Sequence, residues 1–195
     1  MNEFEMLKRL IMVDRSIRRF DNARTVGKDT LMSLINLTRF CASGRNLQPL
    51  KYRIVCESDE CAKVFPLLKW AGYLSDWDGP VKDERPTAYL VQCLDTRMTE
   101  NQMCDDGLQL QALTLGARAL GIGGCIIKSF NEIGIKKGLG LEDYYKPLYI
   151  LALGYPVEKV VLEDMSVVDN DIKYYRTPDG VHHVPKRPLS ELVID

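Results

Sequence analysis

The run from Thr87 to Leu94, TAYLVQCL, is apolar at alternate and intervening positions alike. Successive side chains of a strand point to opposite faces, so a strand of this composition has to be covered on both sides. It belongs inside a sheet, and the rest of the chain has to supply helices for its two faces. Phe4, Leu7, Leu10 and Ile11 recur at helical spacing and predict a first helix ending near Val13. Leu31, Leu34 and Ile35 share one face of a second helix, which starts at about Lys28 and runs into the polar loop SGRNLQP, with Pro49 as a firm stop. LKYRIVCES alternates as a strand. From Ser58 a helical spacing resumes that would align Trp70, Tyr73, Leu74 and Trp77, kinked or divided at Pro66.

Residues 103–120 are apolar almost all round, with Ala112, Gly116, Ala117 and Ala119 permitting close contact, and predict a buried helix ended by Gly121. The strand GGCIIKS, a small helix from Asn131 and the strand PLYILALGYP follow. In the tail, YYR and VHHV about the turn TPDG read as a hairpin. The pattern is helix-rich α+β, with no repeat and no second domain in residues 1–195.

Charge and cysteine usage narrow the function. With 26 basic and 27 acidic side chains, no protein-wide field exists to hold a polyanion, which argues against a general nucleic-acid binder. No apolar run approaches the roughly 20 residues of a membrane helix, and MNEFEMLKRL is not signal-like, so a soluble, untargeted protein is expected. Cys41, Cys56, Cys61, Cys93, Cys104 and Cys125 form no CxxC pair and lie mostly among apolar residues. Buried reduced thiols and a cytoplasmic location are expected. Only two histidines exist, adjacent at 182 and 183, which speaks against Cys-His catalysis. Adjacent strand residues point apart and no third ligand is spaced to join them, so a metal site is not expected; the pair reads as polar residues flanking a turn.

Two basic stretches carry chemistry. DRSIRRF, 14–20, offers Arg15, Ser16 and Arg18, guanidinium forks and a hydroxyl just past a helix end, which suit a phosphate as well as they suit a solvated basic face. PKR near the other end adds Lys186 and Arg187. GIGGCI from Gly121 lacks the third glycine of a dinucleotide loop and follows a helix, whereas GKDT from Gly27 lacks the first glycine and the Ser or Thr of a P-loop. The stripe Trp70, Tyr73, Trp77 is core-like in spacing, with glycine and proline breaks that would also suit a movable lid.

Four strings in order, RSIRRF, ASGRNLQPLKY, GIGGCIIKSF and LALGYP, followed by PKRP, resemble the FMN-dependent nitroreductase family over nearly the whole chain, and WAGYLSDWDGP with ERPTAYL resembles a subgroup of short bacterial members. The resemblance implies a mostly antiparallel sheet flanked by helices, in an intertwined homodimer with two FMN sites at the interface. The C-terminal tail from about 157 to 195 would complete the site or the dimer. Arg15 and Ser16 would hold the FMN phosphate with help from Lys186 and Arg187. Arg18 would reach the pyrimidine edge, where a cation stabilises the negative charge of the reduced ring. Ser43, Asn46 and Gln48, with Arg45 nearby, would approach from the other subunit, and the backbone of Ile126, Ile127, Lys128 and Ser129 would run along the ring. Asp14 stands where many members carry a second arginine.

The implied reaction is ping-pong: NADH or NADPH reduces FMN, and the flavin then reduces a nitroaromatic, a quinone or a conjugated enone. No side chain acts as nucleophile. Relatives of this fold also include reductive dehalogenases and a flavin-fragmenting enzyme, and a non-catalytic FMN-binding protein is a further alternative. The segment 68–80 is the feature that would separate them.

Overall fold

A computed structural model describes residues 2–194. The helices are α1 (Glu3–Val13), α2 (Lys28–Thr38), α3 (Ser58–Val64), α4 (Asp105–Ala119) and α5 (Glu132–Leu139). The strands are β1 (Phe20–Asp21), β2 (Leu50–Val55), β3 (Ala88–Asp95), β4 (Gly123–Ile127), β5 (Tyr145–Pro156), β6 (Val160–Asp164), β7 (Tyr175–Arg176) and β8 (His182–Lys186). The main sheet runs β1-β5-β3-β2, with β4 also on β5, and its strand pairings are antiparallel.

Every residue of β3 is buried, and the strand lies between β2 and β5 as its composition requires. Tyr89, Val91 and Cys93 face one core, which Val64 of α3 and Ile135 and Leu139 of α5 complete. Ala88 and Leu90 face the other, with Leu31 and Leu34 of α2 and Leu110, Leu113 and Ala117 of α4. β5 alternates in the same way, sending Ile150 and Ala152 to the first core and Leu151 and Leu153 to the second.

Several elements differ from expectation. α3 ends at Val64 and passes into a short 3-10 turn, Phe65–Leu67, so Trp70 to Trp77 lie on irregular backbone. Pro66 has no N–H to continue the helix, and Ala71 adopts φ 37°, which α-helix excludes. Trp70 and Trp77 still meet edge to face, centroids 6.5 Å apart, against the first core. α4 is not apolar all round: it buries Asp105, Gln109 and Thr114 and exposes Leu108. Gln109 is buried because Tyr52 Oη donates to it at 2.8 Å, Tyr52 itself accepting from Gln92 at 2.9 Å, a polar chain between sheet and helix. All six cysteines are free, but only Cys93 and Cys125 are buried, and Cys104 is exposed.

The hairpin of β7 and β8 forms as expected, and β6 adds parallel to β8 to make a three-stranded sheet. That third strand has no counterpart in the sequence expectation. α1 buries none of its residues and leaves Phe4, Leu7 and Ile11 exposed. Asp14, just beyond it, accepts from Thr114 Oγ1 at 2.6 Å and from Gln111 at 2.9 Å, pinning the end of α1 to α4. Asp14 thus acts between helices.

β1 and β5 approach closely at Gly154, where an added Cβ would stand 2.8 to 2.9 Å from three atoms of the fully buried Phe20. Gly154→Ala should therefore lower stability by about 1–3 kcal/mol through overpacking. The check is a denaturant titration showing a lower midpoint at unchanged slope.

Candidate functional site

After α1 the chain turns onto the edge of β4. Ile17 donates its N–H to the Gly124 carbonyl at 2.9 Å, and Ser16 forms a parallel bridge with Gly124. Arg15 and Ser16 are thereby fixed beside the strand that leads into 126–129. Arg15 Nη2 donates to the Ile11 carbonyl at 2.7 Å, a cation at a helix C-terminus, while its Nε is buried without a partner. Lys186, on β8, feels the same cation: burial and then the charge of Arg15 depress its pKa. Among the described residues neither Arg15 nor Lys186 is in an ion pair. Two neighbouring cations with a spare buried donor are suited to an anion with several acceptor oxygens. Arg187 is committed to Glu191 at 2.5 Å, on an exposed turn.

Arg18 is buried. Its backbone N–H donates to Glu158, as does that of Arg19 at 3.3 Å, and Arg176 grips the same carboxylate at 3.1 Å. The Arg18 guanidinium reaches the Ser16 carbonyl at 3.4 Å, lies 3.2 Å from His182 Nε2, and sits over the Tyr174 ring at 4.9 Å. It also adjoins Cys125 of β4, whose thiol burial pushes up in pKa and Arg18 pulls down. The histidine pair is thus more than turn-flanking polarity. His183 meets Glu163 at 3.0 Å, whereas His182 is only 1% exposed and faces Arg18. Tyr174 carries the cluster on to 68–80: its hydroxyl accepts from the Tyr73 N–H at 3.3 Å, and Arg176 lies over the Trp77 ring at 4.8 Å.

The backbone of 126–129 continues from β4. Ile127 is buried, Ile126 is exposed, and the Ser129 carbonyl accepts from the Lys69 N–H at 3.0 Å. The Lys128 ammonium turns away to the Leu148 carbonyl at 3.0 Å and the Tyr149 ring.

The loop 43–48 is built separately, at the N-terminus of α4. Buried Asp105 accepts from Ser43 Oγ at 2.5 Å and from the Gly44 N–H at 2.8 Å, and Ser43 Oγ in turn accepts from the Gln48 N–H at 2.9 Å. Arg45, Asn46 and Gln48 all have positive φ, 53°, 56° and 51°. Among the described residues no hydrogen bond joins this loop to Arg15, Ser16, Arg18 or 126–129. Within one chain Arg15, Ser16 and Arg18 are thus built onto β4, whereas the hydrogen bonds of Ser43 tie loop 43–48 to α4. Glu158, Tyr174 and Asp105 were not singled out by sequence, and His182 was read only as polarity flanking a turn, for want of a motif that joins residues so distant along the chain.

His182 has a consequence in solution. Burial, then the charges of Arg18, Arg176 and His183, lower its pKa from 6.5 to about 4. The unfolded chain takes up this proton first as pH falls, so stability is full above pH 6.5 and is lost from there down toward pH 4, by about 2–3 kcal/mol. His182→Gln should flatten that part of the profile, as measured by urea midpoints between pH 4 and 7.

A family model described as the nitroreductase family matches residues 11–73 and 86–155. A nitroreductase family protein of Streptococcus pneumoniae superposes with a TM-score of 0.70 at 17% identity, covering 97% of this chain and 99% of that one. An FMN-dependent nitroreductase of Clostridium difficile gives 0.63 at 19%, covering 77% and 87%. An NADPH:FMN oxidoreductase of Vibrio harveyi, solved with NAD+, gives 0.61 at 22%, covering 77% and 68%.

Proposed function

We propose that this chain, which belongs to the nitroreductase family, is an FMN-dependent oxidoreductase acting as a homodimer in the cytoplasm, drawing electrons from NADH or NADPH. The observation that carries the proposal is Arg15, its buried Nε without a partner among the described residues, with its charge reaching Lys186, which is in no ion pair among them. Together with Ser16 they fit one terminal phosphate, as in FMN, and the similar proteins named for FMN support the choice. Arg187 would add its charge only on leaving Glu191, which holds it at 2.5 Å. Bound there, FMN would supply hydride acceptance from the nicotinamide and donation to a nitroaromatic, quinone or conjugated enone, in ping-pong order.

The chain's own part is positioning and electrostatics. Arg18 would face the N1 and O2 edge of the ring, meeting the negative charge of the reduced form. Glu158 fixes the backbone at Arg18, and His182 and Tyr174 hold its guanidinium in place. The 126–129 backbone would offer its peptide groups to the ring. Ser43, Arg45, Asn46 and Gln48 would come from the partner subunit. The uncovered apolar face of α1 supports a partner that buries it.

The two arginines should differ. Arg15→Ala removes a charge-assisted contact made equally to oxidised and reduced flavin, so FMN affinity falls by about 1.5–3 kcal/mol while the midpoint potential of the bound flavin holds. Arg18→Gln weakens mainly the reduced form, and the potential moves negative with FMN still bound. Spectroelectrochemical titration decides, an unchanged potential in Arg18→Gln refuting its assignment. Sedimentation at decreasing concentration should find only dimer as long as the protein is folded; a flavin-loaded monomer would refute the shared site.

A further inference from the structure

A half-open cavity of about 370 Å³ lies where the end of α1, the last turn of α4 and the link between β5 and β6 meet. Its apolar wall includes Met12, Ile17 and Pro156, and its cations come from three segments distant in sequence: Arg15 after α1, Arg118 in α4 and Lys159 before β6. The helix does not need Arg118 as a cap. The carbonyls of Gly116, Ala117 and Arg118 are met by the backbone N–H groups of Leu120, Gly121 and Ile122. Among the described residues neither the Arg118 guanidinium nor the Lys159 ammonium forms an ion pair or a hydrogen bond. The place of Arg118 is nonetheless set, because Asp14 accepts from Thr114 and Gln111 and so holds the end of α1 against α4 one turn before it.

Two carboxylates stand near these cations. Glu158 lines the cavity, but its side chain has no exposed surface and is paired with Arg176 from β7. Asp14, between the lining residues Val13 and Arg15, is turned to α4 by the two bonds just described. With Arg176 included, four cations face two carboxylates, which leaves a surplus of about two positive charges. Like charges gathered without a structural partner disfavour the compact state, and apolar walls concentrate their field on whatever enters. A phosphate monoester matches that surplus, with a charge of about −1.5 to −2 near pH 7 and three oxygens to accept from both unpaired side chains. We propose that Arg118 and Lys159, with Arg15 at the border, form a subsite for a phosphate monoester. Two ligands carry that chemistry: FMN, in which case the inference rests on the proposed function and adds two residues to its phosphate site, and a second phosphorylated ligand bound beside it.

The experiment titrates the full chain with FMN, with riboflavin, which lacks the phosphate, and with inorganic phosphate in the presence and absence of FMN, read by flavin fluorescence and phosphorus NMR. If the FMN phosphate occupies the cavity, Arg118→Gln and Lys159→Gln each raise the Kd for FMN at least about fivefold and leave that for riboflavin unchanged. If a second ligand does, both flavin constants stay at wild type, and saturable phosphate binding to the FMN-loaded protein is lost in both variants. Neither variant should lower the urea midpoint measured without ligand, since each removes an unpaired charge from a like-charged cluster. Lys137→Gln, which removes an exposed cation of α5, should change none of these readings. The proposal is overturned if both variants keep wild-type binding of FMN and of phosphate, if riboflavin is weakened as much as FMN, if the urea midpoints fall, or if Lys137→Gln has an equal effect. Should the wild-type protein bind no FMN, the proposed function fails instead, and the phosphate titration alone decides this subsite.

Discussion

The carboxylate of Glu158 is fully buried, and much of the candidate site depends on it. A buried charge is expensive unless it is surrounded by donors, and Glu158 collects three: the backbone N–H groups of Arg18 and Arg19 and the Arg176 guanidinium. Those partners lie on the segment after α1 and on β7, which are otherwise unconnected in sequence. The one side chain therefore joins the three-stranded tail sheet to the edge of the main sheet and sets the backbone from which Arg18 projects. Removing the carboxylate would leave the Arg176 guanidinium and two amides in search of acceptors, with the tail held by the contacts of Arg18 with His182 and Tyr174 and of Tyr73 with Tyr174.

The main sheet was legible because its information is local. TAYLVQCL alternates between two apolar sets, and the structure sends Tyr89 and Val91 one way and Ala88 and Leu90 the other. The break after Pro66 was legible as a break, but periodicity carried the helix on through Trp77, whereas aromatic packing against the first core holds those residues without helical backbone. β6 was missed because VVLED has no short-range partner. It pairs in parallel with β8, Val160 opposite His182, a contact that no turn signal announces.

The site divides along the same line. Arg15, Arg18, Lys186 and Arg187 stood out as charge in a balanced chain, with Ser16 among them, and in the structure the charge of Arg15 reaches Lys186. Their buried supports did not stand out. His182 looked ordinary because nothing in HH distinguishes a solvated imidazole from one enclosed by Arg18 and Tyr174. Asp105 was read as part of an apolar helix, yet it is the residue on which loop 43–48 is built.

That loop carries a cost of its own. Arg45, Asn46 and Gln48 occupy the left-handed region, which side-chain-bearing residues enter only at an energetic penalty of order 1–3 kcal/mol each. The hydrogen bonds that Ser43 and Gly44 donate to Asp105, and Gln48 to Ser43 Oγ, brace both ends of the loop, and the Gln48 amide donates to Asn46 at 3.1 Å. The penalty is thus met during folding. Whatever surface the loop meets finds its amides with little rotational freedom left to lose, and the entropy that usually weakens contacts made by exposed polar side chains has been surrendered in advance.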